Sequence, residues 1–190
     1  MSTYRPDFDI VVVGGGMVGP CFAALAARDP HVGELRVALI EPATPALPRT
    51  GEVDLRVSAL SRASQRILDA VEAWDPIEPE ACAYSGMVVW DAASQPDAPD
   101  ALRFSAAETG EPDLGHIVEN LRVQWALSES PLLRRLTRLH TALADLEPGE
   151  DAARLTLADG RRLRAALVVG ADGGASPTRE LAGIERDGQP

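Results

Sequence analysis

The chain has 190 residues, 45% hydrophobic and 25% charged, which suits one ordinary domain or one domain plus part of a second. Its 29 acidic and 18 basic residues give a formal net charge of −11, so phosphate backbones are repelled and nucleic-acid partners are not expected. Two cysteines, Cys21 and Cys82, cannot build a disulfide framework or a four-thiolate zinc site, and because all 18 basic residues are Arg, a Lys nucleophile or Schiff base is excluded.

The first signal is a near-continuous apolar run over residues 8–13, the pattern of a buried parallel strand and far too short to span a bilayer. Nothing before it reads as a signal peptide, and the expected location is the cytoplasm. Three glycines end the run, and residues 17–28 read as an Ala-rich helix. Residues 36–40 form a second apolar strand ending at Glu41, so 8–40 is a β-α-β unit with a parallel crossover. A loop with three prolines spans 42–54. Residues 58–74 are predicted as one amphipathic helix, since Leu60, Ala63, Ile67, Val71 and Trp74 recur by threes and fours. Residues 84–90 read as strand, 91–115 as loop with a short strand near 102–104, and 120–139 as helix that Pro131 restarts or kinks. Three strands follow, at 141–147, 153–157 and 163–170, with Pro148-Gly149 and Asp159-Gly160 as turns. The expected fold class is α/β.

Gly14-x-Gly16-x-x-Gly19 lies between a predicted strand and a predicted helix, and Glu41 sits 22 residues beyond Gly19 at the end of the next strand. In that context Gly14 permits a tight turn, Gly16 admits a pyrophosphate to the backbone and Gly19 lets the helix pack close. The helix N-terminus would hold phosphates, and Glu41 would accept hydrogen bonds from ribose hydroxyls. The motif does not separate FAD from NAD. Gly170-Ala171-Asp172-Gly173, followed by Ser176 and Arg179, ends another apolar strand, where ligands of open α/β sheets bind; an Asp-Gly there also marks a plain turn. Arg56, between Asp54 and Ser58, is either a cofactor-directed cation or a solvated residue beside an N-cap at Asp54 or Ser58. Asn120 and Gln124 are four apart and share a helix face, which an exposed polar face explains equally well. His31, His116 and His140 have no metal-ligand spacing, no Ser-His-Asp set can be argued, and no catalytic residue is assigned. Cys21 reads as a packed thiol.

The order Gly-x-Gly-x-x-Gly, Arg-x-Ser-Ala-Leu-Ser, Gly-His-Ile-Val-Glu-Asn and Gly-Ala-Asp-Gly-x-x-Ser-x-x-Arg resembles the flavin-dependent aromatic hydroxylases of ubiquinone biosynthesis, within the group related to p-hydroxybenzoate hydroxylase. Asp54 to Ser58, Gly86 to Asp91 and Gly115 to Asn120 are most similar to the VisC-type branch, which hydroxylates a polyprenyl phenol. The resemblance implies a GR2-like FAD-binding domain over 1–77 and 120–190, with 78–119 belonging to a β-rich substrate-binding domain. It implies FAD and NAD(P)H as cofactors and a lipid-like phenol, hydroxylated with O2 by a C4a-hydroperoxyflavin. It places Gly14, Gly16, Gly19 and Glu41 on the ADP half of FAD, Arg56 beside the flavin and its pyrophosphate, and Asn120 and Gln124 on cofactor-facing positions. Asp172 and Gly173 match a motif shared between FAD and NAD(P)H, with Arg179 supporting that loop. A quinone-biosynthesis complex is an implied partner. Another FAD-dependent hydroxylase of the same fold, or a non-catalytic scaffold in such a complex, stays open.

The family carries a further Gly-Asp segment after the Asp-Gly motif, and none appears by Pro190, so the chain is expected to be the N-terminal portion of a longer enzyme. A cofactor held at one end still loses at least ~4 kcal/mol of translational and rotational freedom, with fewer contacts to offset it. The isolated chain should therefore be nearly colourless, bind FAD weakly in a fluorescence titration and oxidise no NADPH with a phenol. A stoichiometric yellow protein would contradict this.

Overall fold

The computed structural model describes residues 5–28, 35–46, 51 and 53–185. Strand β1 (Phe8–Val13), helix α1 (Val18–Arg28) and strand β2 (Val37–Ile40) form the expected unit, with Ile10 paired to Val37 and Val13 to Ile40 in parallel. The unit is pinned at its open end by Asp9, whose Oδ1 and Oδ2 accept from Arg36 Nη2 and Nε at 3.1 Å while Oδ2 also takes the Arg36 N–H at 2.8 Å. Those hydrogen bonds hold the Asp9 carboxyl below the usual range.

The segment predicted as one helix over 58–74 is corrected. Residues Val57–Ser61 are strand β3, and helix α2 begins only at Arg62 and ends at Ala70. The five strand residues alternate in exposure and pair antiparallel with β7 (Gly115–Glu119), from Val57 opposite Glu119 to Ser61 opposite Gly115. Long-range pairing overrides the helical spacing. The N-cap is therefore Ser61, whose Oγ accepts from the Ser64 N–H at 3.2 Å, and not Ser58 or Asp54. The single strand expected at 84–90 is two, β4 (Cys82–Tyr84) and β5 (Gly86–Val89). β4 joins β7 and β3 in a three-stranded sheet, and β5 pairs with β6 (Leu102–Ser105) in a separate ribbon. Helix α3 (Ala106–Thr109) closes that stretch.

The helix expected over 120–139 is also corrected. Helix α4 runs Asn120–Glu129, Pro131 starts the short α5 (Pro131–Arg134), and Thr137–Leu139 is strand β8, parallel to the edge of β2. Pro131 cannot continue the ladder of α4 but suits a first helical position. The Ser130 hydroxyl between the helices donates to the Val71 carbonyl at 2.6 Å inside the core. β9 (Leu143–Glu147), β10 (Ala153–Leu157) and β11 (Arg162–Gly170) match the expected strands, and a short helix α6 (Pro177–Leu181), not foreseen, ends the described chain.

The main sheet has the order β8-β2-β1-β11-β10-β9. β1 is parallel to both neighbours, while β10 and β9 form an antiparallel arm. Residues of β1 and β2 alternate between two layers. Ile10, Val12, Val37 and Leu39 pack on Ala23 and Ala24 of α1, Leu127 of α4 and Leu133 of α5. Val11, Val13, Ala38 and Ile40 pack with Leu146, Leu155 and Leu157 of the antiparallel arm. With both faces of β1 covered, its unbroken apolar run is explained.

Leu127 is buried in the first layer, whereas Leu102 on the ribbon is 60% exposed. Leu127→Ala should cost about 2–5 kcal/mol in urea unfolding, and Leu102→Ala should stay within about 0.5 kcal/mol of the parent.

Candidate functional site

β1, β2 and β11 end on one edge of the sheet. The chain leaves β1 toward β2 on one side, and β11 returns on the other, so the loop after β1 sits where strand order reverses, the usual ligand crevice of such sheets. There the Gly14 N–H donates to the Ile40 carbonyl at 2.9 Å and the Ala171 N–H to the Val13 carbonyl at 2.7 Å. Gly14 has φ 111°, and a Cβ on it would lie 2.4 Å from the Ala171 oxygen. A Cβ on Gly19, in the first turn of α1, would lie 2.0 Å from the Gly14 oxygen. These two glycines are dictated by packing. Gly16 is different: a Cβ there would meet nothing within 4 Å, so its face of the loop opens on free space at the N-terminus of an 11-residue helix. An anionic group fits that space, with the helix dipole behind it.

Glu41, at the end of β2, reaches back to this loop. Its Oε2 accepts from the Gly15 N–H at 2.5 Å and its Oε1 from the Ala43 N–H at 2.9 Å. A carboxylate has about four lone-pair sites, so two remain for a hydroxyl-bearing ligand. Gly15, Glu41, Gln124 of α4, Arg138 of β8 and His140 line one small cleft of about 20 Å³. Gln124 and Glu41 thus share a cavity.

Asp172 follows β11 and is spent on its own loop. Its Oδ1 accepts from the Ser176 hydroxyl, and its Oδ2 from the Thr178 N–H at 2.8 Å. Burial pushes its carboxyl up, but these hydrogen bonds outweigh it and hold the group below its ordinary 3.8. The Ser176 hydroxyl in turn caps α6 by accepting from the Arg179 N–H at 3.1 Å, and Arg179 Nη1 donates to the Gly174 carbonyl at 3.3 Å. Gly173, with φ 93° and open space where a Cβ would be, presents bare backbone two residues after Ala171, against whose carbonyl Gly14 packs.

Arg56 and Asn120 form a second group at the junction of β3, β7 and α4. The Arg56 carbonyl accepts from the Asn120 N–H at 2.9 Å, and the Ser58 hydroxyl donates to Asn120 Oδ1 at 2.6 Å. The Arg56 guanidinium has no partner among the described residues. The structure therefore gathers Gly14, Gly16, Gly19, Glu41, Gln124, Asp172, Gly173 and Arg179 around the strand ends, and sets Asn120, with the Arg56 backbone bonded to it, one helical turn from Gln124 along α4. Sequence reasoning assigned no site role to Gly15, Ser58, Glu119 or Arg138; the first three lie inside the quoted motifs, and Arg138 carried no signal.

His116 packs edge-on against Trp74 with ring centroids 5.2 Å apart, which gives it a packing role. His31 lies outside the described residues. Among those residues no His, Cys, Asp and Glu side chains cluster as metal ligands, and no helix is long and apolar enough to cross a membrane. Cys21 lines an apolar groove with Met17, Phe22 and Ile67 between α1 and α2, and burial pushes its thiol up to about 11. Cys82 is exposed on β4.

Residues 7–190 match the model of an FAD-binding domain. The chain belongs to that family. The FAD-binding domain is 34% identical to the 3-demethoxyubiquinol 3-hydroxylase of Escherichia coli K12 over 93% of its own length and 44% of that enzyme's. It is 36% identical to the ubiquinone hydroxylase UbiL of Rhodospirillum rubrum, covering 93% of the chain and 39% of the relative. It is 31% identical to the human mitochondrial ubiquinone biosynthesis monooxygenase COQ6, over 94% and 40% respectively. The chain thus spans well under half of these relatives. Among solved structures, the anhydrotetracycline hydroxylase OxyS of Streptomyces rimosus superposes with a TM-score of 0.70 at 20% identity, over 96% of this chain and 35% of that one. The flavin-dependent monooxygenase PieE, solved with FAD and substrate, gives 0.65 at 21%, over 97% and 34%. These two likenesses establish the fold: the α/β architecture is that of FAD-binding monooxygenases.

Two predictions follow from the geometry of this FAD-binding domain. Gly19→Ala must displace α1 from the Gly14 carbonyl and should cost about 1–3 kcal/mol in denaturant unfolding, while Gly16→Ala should leave the ligand-free fold within about 0.5 kcal/mol. The Asp172 carboxyl, lowered on folding, adds stability above its ordinary 3.8 and loses it as pH falls through the lowered value. Asp172→Asn should accordingly melt lower than the parent near neutral pH, and the gap in melting temperature should close in acid.

Proposed function

We propose that the whole protein is an FAD-dependent monooxygenase that hydroxylates a polyprenyl phenol of the 2-octaprenylphenol kind in quinone biosynthesis, using NAD(P)H and O2. The observation that carries this reading is the likeness of 34% and 36% to two quinone-pathway hydroxylases over 93% of the chain. The site supports it. The open backbone at Gly16 and the first turn of α1 would bind the pyrophosphate, and Glu41 would accept from the adenosine ribose with its unused lone pairs. Gln124 would close the far wall of the same cleft. The guanidinium of Arg56, unpaired among the described residues, would neutralise an anionic part of the dinucleotide. Asp172 and Arg179 hold the loop of Gly173 in shape at the end of β11. When bound, the flavin supplies the activation of O2 and its transfer to the ring. The chain's own residues bind and orient it.

On the same reading, residues 1–77 and 120–190 carry the cofactor and 78–119 begin the substrate-binding part. The separate β5–β6 ribbon supports that division, and its exposed Met87, Val89 and Phe104 suit a surface that faces further protein or an apolar substrate. A peripheral position at the inner membrane, and membership of a quinone-biosynthesis complex, would give access to so insoluble a phenol.

Deleting the gene should cause a prenylphenol intermediate to accumulate in the quinone extract, and unchanged quinone content would count against the reading. In the whole enzyme, Glu41→Ala and Gly16→Ala should each weaken FAD by about tenfold, the effect of one or two lost charge-assisted hydrogen bonds or of an obstructed backbone approach. Equilibrium dialysis against FAD measures it.

A further inference from the structure

The residues just before β3 have almost no packing of their own. Val53 is 79% exposed and Leu55 99%, and Arg56 between them and β3 is exposed as well. Hydrogen bonds fix this strap instead, and two consecutive residues at the junction of β7 and α4 supply them. Glu119 Oε1 accepts from the Asp54 N–H at 2.5 Å, and the Asn120 N–H donates to the Arg56 carbonyl at 2.9 Å. Asp54 Oδ1 closes the ring by accepting from the Arg56 N–H at 2.8 Å. The backbone of Arg56 is therefore held on both sides while its guanidinium projects without a partner among the described residues.

Glu119 occupies the N-cap position of α4 but does not cap the helix. Its second oxygen, Oε2, accepts from Arg122 Nε at 3.2 Å, and the two side chains are each only 12% exposed. A carboxylate this little exposed is costly unless paired, and Arg122 supplies the pair. Among the described residues, the strap is all that its side chain holds besides Arg122.

We propose that Glu119, steadied by Arg122, is a positioning residue that presents the Arg56 guanidinium to an anionic group of the dinucleotide. The proposal rests on the reading of Arg56 as a cofactor-facing residue. Arg122 orients the carboxylate, the carboxylate orders the strap before any ligand arrives, and less ordering is left to offset on binding.

Amide exchange on the ligand-free chain, with flavin-fluorescence titration of FAD on the whole enzyme carrying the same substitutions, tests this for the parent, Glu119→Ala, Glu119→Gln, Arg56→Ala and the double variant of Glu119→Ala with Arg56→Ala. Glu119→Ala should speed exchange at residues 54–58 by about tenfold or more, the ratio carried by a charge-assisted hydrogen bond, and leave β1 and β2 amides unchanged. Glu119→Gln, which keeps an acceptor for the Asp54 N–H, should recover part of that protection. FAD affinity should fall in Glu119→Ala, and the double variant should bind no more weakly than Arg56→Ala. Unchanged exchange in the strap overturns the proposal, as do losses that multiply in the double variant. Faster exchange across β1 and β2 as well would make Glu119 a general fold residue, which also overturns it; Glu119→Gln guards against a simple failure to fold. If the strap loosens but Arg56→Ala leaves FAD affinity intact, the cofactor reading of Arg56 falls while the Glu119 clamp stands.

Discussion

The architecture depends on a close approach of backbone to backbone at the end of β1. Gly14 lies against the carbonyl of Ala171, and Gly19 lies against the carbonyl of Gly14, at distances that leave no room for any side chain. This three-way contact sets how near α1 comes to the sheet and how β11 lies beside β1. It also turns the loop so that the Gly16 face is left open. The space for an anion thus lies directly beside a contact between backbones that admits no side chain.

Helix α4 carries that order to the second group of residues. Val123, Ala126 and Leu127 bury one face of it in the same core layer as Ile10 and Val12. Asn120 at its first turn grips the strap of Arg56, and Gln124 one turn later lines the cleft with Glu41. Two groups that are remote in sequence are thereby referred to one rigid element, as precise binding geometry requires.

The parts legible in the sequence are those specified locally. The run of β1, the glycine spacing and Glu41 at the end of β2 each follow from residues close in the chain, and the hairpins of β9, β10 and β11 are announced by Pro148-Gly149 and Asp159-Gly160. The parts that were not legible are decided by partners far away. Val57 to Ser61 contains residues compatible with a helix face, and only the pairing with β7 makes it a strand. β8 is three residues long and exists because the edge of β2 offers it hydrogen bonds. The cradle at Gly16 could be inferred from spacing, but the union of Glu119 with Asp54 spans 65 positions and leaves no periodic trace. Asp172 is a similar case: its place after a strand was plain, while its commitment to Ser176 and Thr178 emerges only from the fold of the loop.

The unequal surroundings of the two cysteines carry a practical consequence. Reaction with maleimides or iodoacetamides requires a thiolate, and Cys21, packed between α1 and α2 with its thiol pushed up to about 11, offers almost none at neutral pH. Cys82 stands exposed on β4, the strand that pairs with β7 just ahead of the Val-Glu-Asn turn. Within these 190 residues Cys82 is thus a single reporter position for a fluorophore or spin label on the small sheet, available without engineering a new attachment point.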